Sequence, residues 1–298
     1  AGHSVAAAGD FNADGFDDVL VGSPYTSSGS GSAGVAYLIL GSQSASSRSL
    51  TSANAQYSGE ANPNGAGYSL DSAGDANGDG FEDILVGAIF NSDGGTYAGA
   101  AYLVLGTSSP TSYSLGSARA QYTGESSGDN AGSSVAGVGD FNGDGLDDQI
   151  LGAQYNNDGG SDSGSAYLVL GSAVSGSMSL SSAEQFTGEA AGDNAGRSVG
   201  GAGDVNGDGF DDAVIGAPYN DDAGNSAGAG YLILGSGSPA SGPLSSANAQ
   251  YSGEAASDYA GTSVSGAGDV DGDGFADMLV GAPQSDHGGT AAGTTYML

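Results

Sequence analysis

The chain has no cysteine, no tryptophan and no lysine, and its only arginines are Arg48, Arg119 and Arg197. Without cysteine, disulfides cannot staple the fold and thiolate chemistry is excluded. Three basic residues stand against 35 acidic ones, for a formal charge of −32. Such a surface repels phosphate, which excludes a nucleic-acid partner and disfavours docking to anionic lipid. No apolar run approaches the roughly 18 residues that span a bilayer, so no transmembrane segment is expected. A signal peptide is also missing, and the sequence starts inside a repeat, so a mature, processed or trimmed chain is expected. No Asn-x-Ser/Thr sequon occurs, which leaves only O-linked sugars as an expected glycosylation. Glycine, at 58 of 298 residues, is too abundant for helices yet lacks the collagen triplet.

What is present is a repeat. An aspartate-rich loop recurs five times, opening at Asp10, Asp75, Asp140, Asp204 and Asp269. Each copy has Asp at position one, Asn or Asp at three, Asp-Gly at five and six, and Asp at nine. Oxygen groups on alternate residues, folded by a glycine, suit a hard divalent cation; zinc and copper prefer nitrogen and sulfur. Ordinary Asp-Asn-Gly turns are the competing explanation, weakened by five copies with every position filled. An EF-hand would close with Glu at twelve between helices, whereas here position nine leads straight into an apolar run.

Around each loop the residues read as strands. In the second copy, Ala66 to Gly74 is small and alternating. Ile84 to Ala88 is a continuous apolar run expected to be buried, Gly99 to Gly106 a third strand, and Gln121 to Glu125 a weaker fourth. The apolar run recurs in every copy, which argues against disorder despite the Gly/Ser-rich composition. Four-stranded sheets apolar on both faces must be sandwiched between copies of themselves. The expectation is therefore an all-β fold, a β-propeller of about five four-stranded antiparallel blades, with an open stack of sheets as the alternative. The repeats span 1–65, 66–130, 131–194, 195–259 and a partial 260–298, within a single domain. The fifth stops at the end of its third strand, so the last blade lacks its own outer strand and leaves an edge that could template another chain.

These residues resemble the FG-GAP repeat of the integrin alpha-subunit propeller. The loop D-x-[DN]-x-D-G-x-x-D leads into an apolar strand and then Gly-Ala-Pro, as at Gly216-Ala217-Pro218 and Gly281-Ala282-Pro283. The Phe-Gly pair expected at the head of the repeat is Ala-Gly in every copy, and integrin-like propellers commonly have seven blades. The resemblance implies about five Ca2+ ions, held by side chains at positions one, three, five and nine and the carbonyl at seven. Carried onto this chain, the first site is Asp10, Asn12, Asp14, Phe16 and Asp18, and the second Asp75, Asn77, Asp79, Phe81 and Asp83. The third is Asp140, Asn142, Asp144, Leu146 and Asp148, and the fourth Asp204, Asn206, Asp208, Phe210 and Asp212. The fifth, Asp269, Asp271, Asp273, Phe275 and Asp277, has an extra carboxylate and is expected to bind more tightly.

No catalytic constellation stands out. His3 and His287 read as surface residues. Glu60, Glu125, Glu189 and Glu254 recur in a Tyr/Phe-Ser/Thr-Gly-Glu element and read as structural. Tyr37, Tyr102, Tyr167, Tyr231 and Tyr296 share one place in strand three and read as packing residues. The turns after strand two (25–31, 91–96, 155–163, 219–225 and 284–289) vary, which marks them as the surface for a partner. The expected function is non-enzymatic: a secreted or cell-surface calcium-binding protein in adhesion or extracellular assembly, with a protein or glycan ligand or self-assembly through the open edge. The alternatives are a lectin-type propeller and the propeller module of a larger extracellular hydrolase.

Overall fold

A computed structural model describes residues 1–27, 32–44, 47–172 and 176–298. Part of the first variable turn, residues 28–31, lies outside the described residues. The chain divides into two compact units, residues 1–137 with 171–182, and residues 138–170 with 183–298.

In the first unit, the first repeat supplies β1 (Val5–Gly9), β2 (Asp18–Ser23), β3 (Val35–Ile39) and β4 (Ala55–Ser58). The second supplies β5 (Ala66–Gly74), β6 (Asp83–Ala88), β7 (Ala100–Val104), the two-residue β8 (Tyr113–Ser114) and β9 (Ala120–Thr123). The third repeat contributes β10 (Ser134–Gly139), along which the chain passes from one unit to the other, then β11 (Asp148–Ala153), β12 (Ser165–Val169), β13 (Met178–Ser179) and β14 (Glu184–Thr187). The rest of the second unit is β15 (Ser198–Gly203), β16 (Asp212–Ala217), β17 (Ala229–Ile233), β18 (Gly242–Pro243), β19 (Ala249–Ser252), β20 (Ser263–Gly268), β21 (Asp277–Ala282) and β22 (Thr294–Met297).

The fold is all-β, with one sheet per repeat. The fourth repeat shows the plan: β15-β16-β17-β19, antiparallel throughout. One difference from the expected four strands is systematic. The Ser/Gly-rich connection after strand three carries a two-residue strand that joins the preceding sheet in parallel, as β8 on β4, β13 on β9 and β18 on β14. Two residues carry no periodicity, so only tertiary contact defines them: the Tyr113 ring meets Tyr57 at 5.0 Å between centroids. After each of these strands, Leu115, Leu180 and Leu244 are buried at the head of a short 3-10 turn. The first strand of the second repeat runs from Ala66 to Gly74, with the bounds read from the sequence. The last sheet has three strands, β20-β21-β22, as the repeat count implies.

Strand two lies between strands one and three in each sheet and is most deeply buried in the middle three repeats. All six residues of β6, β11 and β16 are buried, which is why their apolar runs do not alternate. In the first unit one core joins consecutive sheets, with Leu20, Leu38 and Tyr57 of one against Leu70, Ile84, Val86 and Tyr102 of the next. The glycine ending strand two allows this approach. A β-carbon at Gly87 would collide with the Gly132 carbonyl, and one at Gly216 with that of Gly261.

Strand one ends in a bulge before every loop for which the register is defined, between Ala7 and Gly9, Ser72 and Gly74, Gly201 and Gly203, and Gly266 and Gly268. The bulge glycine takes a positive φ, +59° at Gly9 and +73° at Gly203. The extra residue re-aims the chain and starts the aspartate loop.

Candidate metal centre

Each loop connects strands one and two of its sheet and is folded by its own carboxylates. The position-one carboxylate straddles the turn: Asp14 and Gly15 donate their amides to Asp10 Oδ1 and Oδ2 at 2.9 and 2.8 Å. The same pair recurs on Asp75 (3.0 and 2.8 Å), Asp140 (2.9 and 2.9 Å), Asp204 (3.1 and 2.9 Å) and Asp269 (3.0 and 3.0 Å). The position-five carboxylate accepts the amide of position seven, from Phe16 to Asp14 at 3.1 Å, Phe81 to Asp79 at 3.1 Å and Leu146 to Asp144 at 3.0 Å. Phe210 and Phe275 make the same bond to Asp208 and Asp273, at 3.0 and 2.9 Å. The position-six glycine supplies the left-handed backbone, φ between +88° and +96° in all five copies.

Position nine opens strand two and lies beneath the loop. Asp18, Asp83, Asp148 and Asp212 are all at most 1% exposed. One oxygen is tied to the end of strand three, with Gly41, Gly106 and Gly235 donating to Asp18, Asp83 and Asp212 at 2.8 Å each. Asp18 Oδ2 is buried with no hydrogen-bond partner. Burial pushes the Asp83 carboxyl up to about 7, opposed by the Gly106 amide and Asn77 and reinforced by the charges of Asp79 and Asp75. Asp18 and Asp212 are raised for the same first reason.

Position three differs among the copies. Asn12, Asn142 and Asn206 donate their side-chain amides to Asp14, Asp144 and Asp208 at 3.0, 3.0 and 2.9 Å, while Asn77 reaches Asp83 at 3.1 Å. In the fifth loop, oxygens of Asp269, Asp271 and Asp273 lie within 4.8 Å of one another. Asp277 is half-buried outside that group and accepts the Val270 amide at 2.7 Å.

This donor set fits a calcium-type cation: oxygens only, an orphaned buried carboxylate oxygen in loop one, and three clustered carboxylates in loop five. Asp10, Asn12, Asp14 and Asp18 would hold the ion in the first loop, with their counterparts in the others. A bound cation supplies positive charge that lets neighbouring carboxylates stay ionised.

At the other end of strand two is a network that the sequence reading only half anticipated. Tyr102 donates to Glu60 of the preceding repeat at 2.5 Å and accepts from Asn91 at 3.0 Å and Gln121 at 3.3 Å. Gln121 also donates to Asp93 at 2.6 Å, and the Asp93 amide to Asn91 at 2.9 Å. Asn156 and Gln185 meet Tyr167 at 3.0 and 3.1 Å, and Asn220 and Gln250 meet Tyr231 at 3.1 and 3.4 Å. Glu60 and Tyr102 thus join the first two repeats. The missed members are the asparagines, 3% exposed or less; their signal was the Asn-x-Asp spacing eleven residues before each tyrosine. In the fifth repeat, Ser285 and His287 stand at the Asn and Asp places, and exposed His287 lies 3.2 Å from Glu254. His3 is exposed beside the Tyr68 ring.

A family model of the FG-GAP repeat matches residues 1–39, 66–104, 195–233 and 260–298, together more than half of the chain. The chain belongs to the FG-GAP repeat family. The sheets are FG-GAP blades, the unit from which this family builds β-propellers. The third copy is outside the matched segments but has the same loop and strand order. "Integrin alpha pat-2" of Caenorhabditis elegans is 42% identical over 91 residues, 29% of this chain and 7% of that protein's length. The chain thus corresponds to a small part of that relative. Among the described residues, no helix is long and apolar enough to cross a membrane.

Proposed function

We propose that this chain is a non-enzymatic, calcium-stabilised FG-GAP module, secreted or at the cell surface, that works in adhesion or extracellular assembly by binding a protein ligand. The observation carrying the calcium part is the orphaned Oδ2 of Asp18 beneath a loop whose other carboxylates are already fixed by backbone amides. About five ions, one per loop, are expected. Their role is to lock strand one to strand two.

The ligand surface follows from the hairpin geometry. The aspartate loops occupy one end of strand two and the variable turns the other. Chemistry that recurs in every repeat therefore holds the scaffold from one end and leaves the other free to differ. Exposed Tyr25 and Tyr155 stand on these turns, at 60% and 39%, and aromatic residues of this kind anchor protein interfaces. A glycan ligand has less support, because Tyr102, Tyr167 and Tyr231 are buried in hydrogen-bond networks and cannot stack on a sugar. Likeness to an integrin alpha chain supports the extracellular, adhesive setting. Cell attachment to a surface coated with the chain tests this: adhesion with Ca2+ that disappears on chelation is expected, and equal adhesion in both conditions, or none, would sink it.

A further inference from the structure

We propose that neighbouring cation loops within one unit are coupled through the eighth residue of the following loop, and that Asp211 is the coupling residue between loops three and four. This rests on the calcium reading above.

Asp211 precedes the position-nine Asp212 of loop four, yet its hydrogen bonds go to loop three. Its Oδ2 accepts the amide of Asp140 at 3.0 Å, and its own amide donates to the Asp140 carbonyl at 3.2 Å. Both backbone polar atoms of Asp140, the first ligand of loop three, are therefore held by one residue of loop four. The fit is close, since a β-carbon on Gly139 would collide with the Asp211 carboxylate. Two further contacts run the same way. The Phe210 ring lies against Gly143, at 2.6 Å from a β-carbon built there, and Ser236 donates to the Phe141 carbonyl at 2.9 Å.

The other copies vary this contact in an informative way. In the first unit, the Glu82 carboxylate of loop two covers Gly9 of loop one, and Thr107 donates to the Phe11 carbonyl at 3.0 Å. Between loops four and five the backbone bond remains, from Ala276 to the Asp204 carbonyl at 3.1 Å, and Phe275 covers Gly207. Ala276 has no carboxylate, so that link is weaker.

The physical consequence is linkage. A cation in loop four fixes Asp212 and the peptide before it, and that peptide carries Asp211. Ordering loop four therefore orders the entrance of loop three, and less ordering remains for the second ion. The coupling is reciprocal.

The test uses the full chain and hydrogen exchange of each loop during a Ca2+ titration. Disabling loop four with Asp208→Ala should raise the Ca2+ midpoint for protection of residues 139–148 by about 5-fold or more, the lower end of ordinary site coupling. In Asp211→Ala the same lesion should change that midpoint less than about 2-fold. Asp211→Glu, the longer acid that loop two uses at this place, should restore the effect. Should Asp211→Ala fail to fold, Ala276→Asp provides the converse, newly sensitising loop four to Asp273→Ala. Calcium protection of every loop with lesions that stay local would overturn the coupling alone. Absence of calcium-dependent protection anywhere in the unaltered chain would overturn the calcium reading and the coupling together.

Discussion

At the residue scale, loop one is the irregular copy. In the other four, position four is glycine, φ between +75° and +79°, and its amide bonds the position-one carboxylate at 2.7 to 2.8 Å. Loop one has Ala13 there, at φ +54°, and its amide bonds the Asp10 carbonyl at 3.2 Å instead. A left-handed conformation disfavours a β-carbon, while glycine adds entropy to the unfolded chain. Ala13→Gly should therefore stabilise the chelated protein by up to about 1 kcal/mol in urea unfolding; a loss of stability would show that Ala13 is not strained. Asp71 is a second anomaly, a carboxylate in strand one where other repeats have Ala6, Ala136, Gly200 or Ser265. Burial pushes it up to about 6, against the opposing Ser72 and Gly137 amides. Its folded pKa lies above the unfolded value, so the native state holds the extra proton and stability falls as pH rises from about 4 to about 6. The slope approaches about 1.4 kcal/mol per pH unit. The difference in urea midpoint between the parent and Asp71→Ala should widen over that window, favouring the alanine, then stay level; a constant difference would contradict the assignment.

At the scale of the element, strand two was legible because burial on both faces leaves an unbroken apolar run. The aspartate loop was legible because its turn chemistry is written in five copies. The two-residue strands β8, β13 and β18 were not, since Tyr113-Ser114, Met178-Ser179 and Gly242-Pro243 share no pattern and owe their pairing to the preceding sheet. The asparagine half of the tyrosine network was missed for a related reason. Asn91 resembles any turn asparagine until its amide is found on a buried hydroxyl. In the second repeat that network gives the sheet a polar lock to its predecessor. Tyr102→Phe should cost about 1–3 kcal/mol, because it leaves Glu60, Asn91 and Gln121 short of a partner. The half-buried Tyr37, in the first repeat, should tolerate the same change with less than about 0.5 kcal/mol in chemical unfolding. Equal costs at the two positions would remove the network from the account.

At the scale of the whole molecule, charge dominates. A chain of formal charge −32 with three arginines concentrates carboxylates in loops where they crowd one another, and buries the ninth residue of the first four. On the proposed calcium reading, metal-free loops would oppose folding through repulsion and desolvation, and loaded ones would staple their sheets. The ligand assignment came from spacing and family resemblance, and the geometry adds the amide scaffold and the burial of Asp18, Asp83, Asp148 and Asp212. The contacts between loops were invisible in the sequence, because the residue at position eight is Asp, Glu or Ala and its partner lies in the preceding repeat. The most direct measurement is calcium titration of the chelated full chain by calorimetry, paired with thermal unfolding in both states. The account predicts binding of about five ions, one per aspartate loop, and a Tm raised by about 10 °C or more, since each saturated site adds about 2–3 kcal/mol. No binding heat and an unchanged Tm would contradict it.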